Sequence, residues 1–294
     1  MKKLTKVIMS GAAVAALAGT MVFGFTGCNN NTNDGDDVLE FIVEGSTSME
    51  EIMVALVENF QTSYEEETGL YVDITVTASG SGAGISHATD GTALIGMASR
   101  PLSSTESQSL ESQTICLDGI AVVVNPNCSL TSVSKSELVG LYTQGTAIGS
   151  VVAALRREDG SGTRDGFQDA LGIEDEDLIT NQQGFDQFTS TSTLKTAIAG
   201  NNAGTMIGYI SMASVDSSVK ALAYDDEDPD NGTEAAAPTT ENVLNGSYGL
   251  SRPFVICYQS YDALPQTAKD FVDYIMSPEG QQIVEENGGI SQVL

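Results

Sequence analysis

The chain has 294 residues, with 12 Lys plus Arg against 40 Asp plus Glu and a single histidine, for a formal charge of −28. So acidic a surface repels nucleic-acid backbones and anionic bilayers, which are held through clustered Lys and Arg, and a lone His87 excludes multi-histidine zinc sites and leaves the commonest general base at one place. The length suits two domains, and 41% apolar with 18% charged residues is a globular composition in which each half can bury a core.

At the N-terminus, Lys2, Lys3 and Lys6 precede an apolar run over 7–25 that ends in Thr26-Gly27-Cys28 and gives way to Asn- and Asp-rich sequence. This pattern resembles a bacterial lipoprotein signal, in which a small residue precedes a cysteine that is acylated and becomes the first mature residue. Gly27 and Cys28 match it, while Phe25 stands where Leu is more usual. The resemblance implies a signal segment over 1–27, a lipid anchor on Cys28 and a flexible stalk over 28–37. An ordinary secretory signal or a retained membrane anchor is the alternative.

From residue 38 on, strands and helices alternate as in parallel sheets covered by helices. A strand is predicted over 39–44; Met49, Ile52, Met53, Leu56, Phe60 and Tyr64 then recur at helical spacing until Gly69. Val72, Ile74 and Val76 alternate as a second strand, a short helix surrounds Ile85, and a strand covers 93–98. A polar helix is predicted over 104–112 and a strand over 120–125, closed by Pro126. Helices over 135–142, over 163–170 and around Leu194 alternate with strands over 151–155 and 206–210. A strand over 254–258 precedes two final helices, 265–276 and 278–286. Cys116, Cys128 and Cys257, an odd number in strand-like apolar surroundings, read as buried thiols. The acidic stretch 225–244 reads as a surface loop; Asp226, Asp228, Asp230 and Gly232 lack the twelfth-position Glu of a calcium loop.

Three times a strand ends in Gly and Ser and runs into a helix: at Gly45-Ser46-Thr47-Ser48, at Ser79-Gly80-Ser81-Gly82-Ala83-Gly84 and at Gly160-Ser161-Gly162-Thr163. Free N–H groups and the peptide dipoles make such helix ends anion-binding, glycine lets a ligand approach the backbone, and hydroxyls add rotatable donors. Neither a dinucleotide fingerprint nor a P-loop is present. Thr47 with Glu50 and Ser48 with Glu51 have capping-box spacing, so the first segment alone reads as a helix cap. Arginine placement points further: of five arginines, Arg100, Arg156, Arg157 and Arg164 flank strand-to-helix junctions, and a guanidinium matches a tetrahedral oxyanion in bidentate fashion.

With Ile95-Gly96-Met97-Ala98-Ser99-Arg100, Arg157-Glu158-Asp159-Gly160-Ser161-Gly162-Thr163-Arg164, Ile207-Gly208-Tyr209-Ile210, Ser251-Arg252-Pro253 and Ser277-Pro278-Glu279-Gly280-Gln281, these segments resemble, in order, the phosphate-binding proteins of bacterial phosphate ABC transporters. The resemblance implies an α/β periplasmic-binding-protein type II fold, with two lobes of mixed sheet flanked by helices, a two-strand hinge and a cleft for inorganic phosphate. It implies an extracytoplasmic, monomeric receptor, lipid-anchored to the cell membrane, that serves an ABC permease and its ATPase without a cofactor or metal. By matching positions, Ser46, Thr47, Ser48, Ser81, Gly82, Ser99, Arg100, Arg157, Ser161, Gly162, Thr163 and Arg164 would contact phosphate, and Asp159 would hold Arg157 in place. Some members have Asp where this chain has Ser99, which leaves Asp159 and Asp165 as candidate acceptors for the phosphate proton; sulfate has no such proton. The crossing strands are expected at 120–125 and 219–224, dividing the chain into a first lobe over 38–122 plus 223–294 and a second over 123–222. Sulfate or molybdate binding shares the architecture. A hydrolase built on His87 and a serine lacks both a Gly-x-Ser-x-Gly elbow and an Asp placed to orient the histidine.

Overall fold

The computed structural model describes residues 39–228 and 234–291. The expected signal segment, Cys28 and the stalk lie outside the described residues, as do Asp230 and Gly232 of the acidic stretch.

The first half runs β1 (Leu39–Gly45), α1 (Glu50–Thr68), β2 (Val72–Ala78), α2 (Ser81–Asp90), β3 (Ile95–Ala98) and β4 (Glu111–Val124). There follow β5 (Ser132–Ser134), α3 (Lys135–Gln144), β6 (Ala153–Ala154), β7 (Arg156–Arg157), α4 (Gly162–Leu171), β8 (Gln187–Phe188), α5 (Thr191–Gly200) and β9 (Met206–Ser211). The chain closes with β10 (Lys220–Ala221), β11 (Ala223–Asp225), α6 (Thr240–Leu244), β12 (Ser251–Tyr258), α7 (Gln266–Met276) and α8 (Pro278–Glu286).

One mixed sheet has the order β2-β1-β3-β12-β4-β9-β6. β1 is parallel to β2 and β3, whereas β12 is antiparallel to β3 and to β4. β4 is shared: as far as Gly119 it pairs with β12, and from Ile120 to Val124 it pairs with β9. Two cores form on either side of that switch. In the first, Ile52, Met53, Leu56, Val57 and Phe60 of α1 pack with Phe41 and Val43 of β1 and with Phe271 and Ile275 of α7. Full burial of each such side chain stabilises by about 1.5–3 kcal/mol, so the helical stripe, more than intrinsic propensity, holds α1 on the sheet. The second core gathers Ile120, Val122, Leu138, Tyr142, Phe167, Tyr209, Tyr224, Tyr248 and Leu250. We call the two core-bearing halves the first and second lobes.

Three expectations need correction. The polar helix over 104–112 is a single 3-10 turn, Glu106–Gln108; β4 starts at Glu111, because its exposed Glu111 and Ser112 pair with Tyr258 and Cys257 of β12. The strand over 151–155 contracts to β6, whose two residues pair with β9. The second crossing is not at 219–224. Lys220 and Ala221 pair with Val124 and Val123 at the far end of β4, and Tyr224, Val243, Tyr248 and Leu250 remain in the second core. The chain therefore returns to the first lobe only as β12 begins, where Ser251 lies opposite Gly119. Cys116, within β4, is a free, buried thiol, as are Cys128 and Cys257.

The first lobe seats α2 by a close backbone approach. A Cβ on Gly84 would lie 2.6 Å from Gly45 Cα and closer still to the Glu44 carbonyl oxygen, so only glycine lets the start of α2 rest on the end of β1.

Candidate functional site

The Gly-Ser segments converge at the carboxyl ends of β1, β2 and β7, where open α/β sheets place their ligand crevice, and Ser99 joins them from the end of β3. The capping expectation for the first segment does not hold: α1 is capped at Met49 without a side-chain bond, which leaves Thr47 and Ser48 to other partners. Ser46 Oγ donates to Ser99 Oγ at 3.0 Å, and Ser99 Oγ lies 3.2 Å from Ser81 Oγ. Ser99 N–H also donates to Ser81 Oγ at 3.1 Å. These three hydroxyls are buried and come from three separate segments of the first lobe: the loop after β1, the start of α2 and the end of β3. In the second lobe, Ser161 does cap α4, accepting from the Arg164 N–H.

The lobes meet here through backbone as well as side chains. Gly82 N–H donates across to Gly160 O at 2.9 Å, so that expected ligand donor is engaged between the lobes. A Cβ on Gly162 would lie 2.5 Å from Ser99 Oγ and 2.7 Å from Ser81 Oγ. Ser48 Oγ of the first lobe lies 2.8 Å from Thr163 Oγ1 of the second.

Arg157 stands at the centre of this contact with 1% of its surface exposed. β7 carries it, and its N–H donates to the Tyr209 hydroxyl at 3.1 Å. Tyr209 is itself fixed by stacking on Phe167 with ring centres 4.0 Å apart, and burial pushes its hydroxyl up to about 12, so it stays neutral. Glu158 takes one edge of the guanidinium in bidentate fashion, at 2.8 Å to Nε and 2.8 Å to Nη2. The opposite edge faces hydroxyls: Nη1 donates to Thr191 Oγ1 at 2.9 Å and Nη2 to Thr47 Oγ1 at 2.9 Å. The acid that holds Arg157 is thus Glu158, and Asp159, expected in that role, instead pairs with Arg164. A buried guanidinium needs such a partner, and fork-to-fork geometry aims the remaining N–H groups at one point.

Three of the other arginines, Arg100, Arg164 and Arg252, are spent on acids. Arg100 binds Glu106 through Nη1 and Nη2, both at 2.8 Å, and reaches Asp165 of α4 through Nε at 2.9 Å, so it bridges the lobes rather than joining the Arg157 cluster. Arg164 donates to Gln168 and pairs with Asp159 and Asp175. Arg252 is buried against Asp118. Arg100 and Arg164, both expected at the ligand, are thus each held by two carboxylates.

The Arg100–Glu106 pair has a pH signature. The Arg100 hydrogen bonds hold the Glu106 carboxyl down at about 2, against an ordinary 4.5. A carboxylate depressed in the folded state binds fewer protons there than when unfolded, so its stabilisation is complete above pH 4.5 and is lost as pH falls through about 2. We expect urea unfolding at pH 6 to show Glu106→Gln less stable than the parent chain and at pH 2 to show the two nearly equal; a gap that is unchanged at pH 2 would contradict the assignment.

His87 does not join the serines. Its Nδ1 stands 2.9 Å from Glu44 Oε2 on the flank of α2. Sequence reasoning missed Glu158, Tyr209 as a backbone acceptor, and Thr191, which carries neither the glycine nor the arginine signal.

A family model described as a PBP superfamily domain matches residues 30–279. A phosphate-binding protein PstS 2 of Streptococcus agalactiae is 38% identical over 141 residues, 46% of this chain and 44% of that protein. The chain thus spans less than half the length of that relative. The phosphate-binding protein PstS of Bacillus subtilis is 29% identical over 264 residues, 84% of this chain and 79% of its own. Among solved structures, a putative phosphate ABC transporter substrate-binding protein with bound phosphate from Clostridium perfringens is 35% identical with a TM-score of 0.73, covering 86% of this chain and 99% of that one. An ABC-type phosphate transport receptor from Vibrio cholerae is 32% identical with a TM-score of 0.66, covering 85% and 99%.

Proposed function

We propose that this chain, which belongs to the PBP superfamily, binds inorganic phosphate between its two lobes outside the cytoplasm and delivers it to an ABC permease. The observation that carries the reading is Arg157: a buried guanidinium, neutralised on one edge by Glu158, turns its other edge toward hydroxyls supplied by both lobes. Thr47 and Thr191 accept from that edge, Ser48 and Thr163 adjoin them, Ser46, Ser81 and Ser99 form a further group of buried hydroxyls linked through the Ser48 N–H, Ser161 caps α4, and the starts of α2 and α4 add partial positive charge. A tetrahedral anion satisfies many donors at once. Contacts to both lobes favour the closed arrangement, and only such differential contact drives closure. The lobes divide at the β4 switch, with residues 39–119 and 251–291 on one side. Acylation of Cys28 would keep the monomeric receptor beside its permease.

The receptor makes and breaks no bonds in its ligand: His87 pairs with Glu44 and not with a cluster serine. Phosphate is expected to bind the chain lacking residues 1–27 tightly in titration calorimetry, with sulfate and molybdate far weaker. Tight binding of sulfate or molybdate with no heat from phosphate would reassign the ligand. Gly162→Ala tests closure within the same experiment. Its Cβ collides with Ser99 and Ser81 at the lobe contact, so the lobes cannot approach this closely, and phosphate affinity should fall at least about tenfold because the competent closed form is depopulated.

A further inference from the structure

Thr191 opens α5 from the second lobe and is 4% exposed, and no expectation from the sequence assigned it a role. We propose that Thr191 is a further phosphate-contacting residue, an inference that rests on the phosphate reading above. Its Oγ1 accepts from Arg157 Nη1, on the guanidinium edge that Glu158 leaves open. Any oxyanion that takes that edge must therefore lie against the Thr191 hydroxyl. The same oxygen is 3.2 Å from Ser48 Oγ and 3.4 Å from Thr47 Oγ1, both in the first lobe, so Thr191 reaches the site across the lobe contact. A hydroxyl offers one donor and two acceptor lone pairs. When phosphate takes Arg157 Nη1, Thr191 loses an incoming bond and turns its own O–H onto the nearest anion oxygen, changing from acceptor to donor.

Thr191 also stands at the edge of the site. With Thr47 and Ser48 it lines a surface pocket of about 50 Å3 whose outer wall includes Glu50, Glu51 and Lys195. These three hydroxyls partition the buried cluster from solvent, and two acidic side chains lie just beyond them. An anion leaving by this side parts the Thr191–Thr47 contact first. Thr191 thereby acts on release more than on association, as is usual for contacts formed only in the bound state.

The test is phosphate titration and stopped-flow release on the parent chain and on Thr191→Val, Thr191→Ala and Thr191→Ser, with ligand-free thermal midpoints measured alongside. We expect Val and Ala to raise Kd about 10- to 100-fold, mostly through faster release, as for loss of a hydrogen bond to a charged group, while Ser stays within about threefold of the parent. Ligand-free midpoints should differ little between Val and Ser, which separates ligand contact from packing. Parent-like affinity in both Val and Ala, or a Ser variant as weak as Val, would overturn the role of Thr191 while leaving the phosphate reading intact. If the parent itself took no phosphate, both would fall.

Discussion

Arg157→Ala is expected to raise the phosphate Kd by at least about 100-fold, the value for losing two charge-assisted hydrogen bonds from a dry site. The loss has two parts. The substitution removes Nη1 and Nη2, charged donors that point at hydroxyls of both lobes. It also strips Glu158 of its partner, leaving a carboxylate that would face the incoming anion. Arg157→Lys should recover little, because an ammonium cannot serve Glu158 with one edge and phosphate with the other. Glu158→Gln should cost less than either, since the guanidinium keeps its charge and loses only part of its orientation. Calorimetric titration of the three variants checks the order Gln, Lys, Ala; an alanine variant within tenfold of the parent would remove Arg157 from the site.

The second large effect concerns stability. Asp118 and Arg252 face one another across β4 and β12, next to the point where β4 changes partners. Asp118 Oδ2 accepts from Arg252 Nε at 3.2 Å and Nη2 at 2.9 Å, while Oδ1 accepts from Ser211 Oγ at 2.7 Å. Both side chains are buried, and Arg252 also lies 5.3 Å from the centre of the Phe254 ring. Removing one member of a buried pair leaves the other charge uncompensated, so Asp118→Ala should destabilise the fold by about 3–5 kcal/mol. Replacing both, as in Asp118→Leu with Arg252→Met, should recover most of that loss, because the pair itself had to repay two desolvation costs. Urea unfolding of single and double variants decides: a single-variant cost below about 1 kcal/mol, or a double variant no better than the single, would contradict the account.

Periodicity made the lobes legible where the pattern was strong. The α1 stripe from Ile52 to Phe60 and the apolar runs of β1 and β9 could hardly be read otherwise. The long β4 was half hidden, because its first four residues are polar and three of them, Glu111, Ser112 and Thr114, are exposed while β12 supplies their pairing. The misplaced second crossing has a similar cause: β10 really does pair with β4, but at its far end, a distinction of register that composition does not carry.

At the site, the Gly-Ser segments and Arg157 stood out because glycine, hydroxyl and guanidinium coincide there. Which carboxylate serves which arginine did not. Glu158 directly follows β7, whereas Asp159 lies in the turn after it, closed by the Ser161 N–H onto the Glu158 carbonyl, so the two adjacent acids serve different arginines, Arg157 and Arg164. Arg100 and Arg164 illustrate a further limit. In a chain with 40 acids and 12 Lys plus Arg, an arginine beside a candidate loop is more often claimed by a neighbouring carboxylate than left for a ligand. Thr191 was invisible because Ser190, Thr191 and Ser192 read as an ordinary helix start, and Ser190 does cap α5.

The central claim is that the Arg157 edge shared by the two lobes is the phosphate site, and a crystal structure of the chain grown with phosphate tests it most directly. We expect one phosphate with oxygens about 2.7–3.0 Å from Arg157 Nη1 and Nη2, in contact with hydroxyls of both lobes and with Glu158 still on the far edge of the guanidinium. Phosphate seated instead on Arg100 or Arg164, with Arg157 still bound only to Glu158, Thr47 and Thr191, would contradict it.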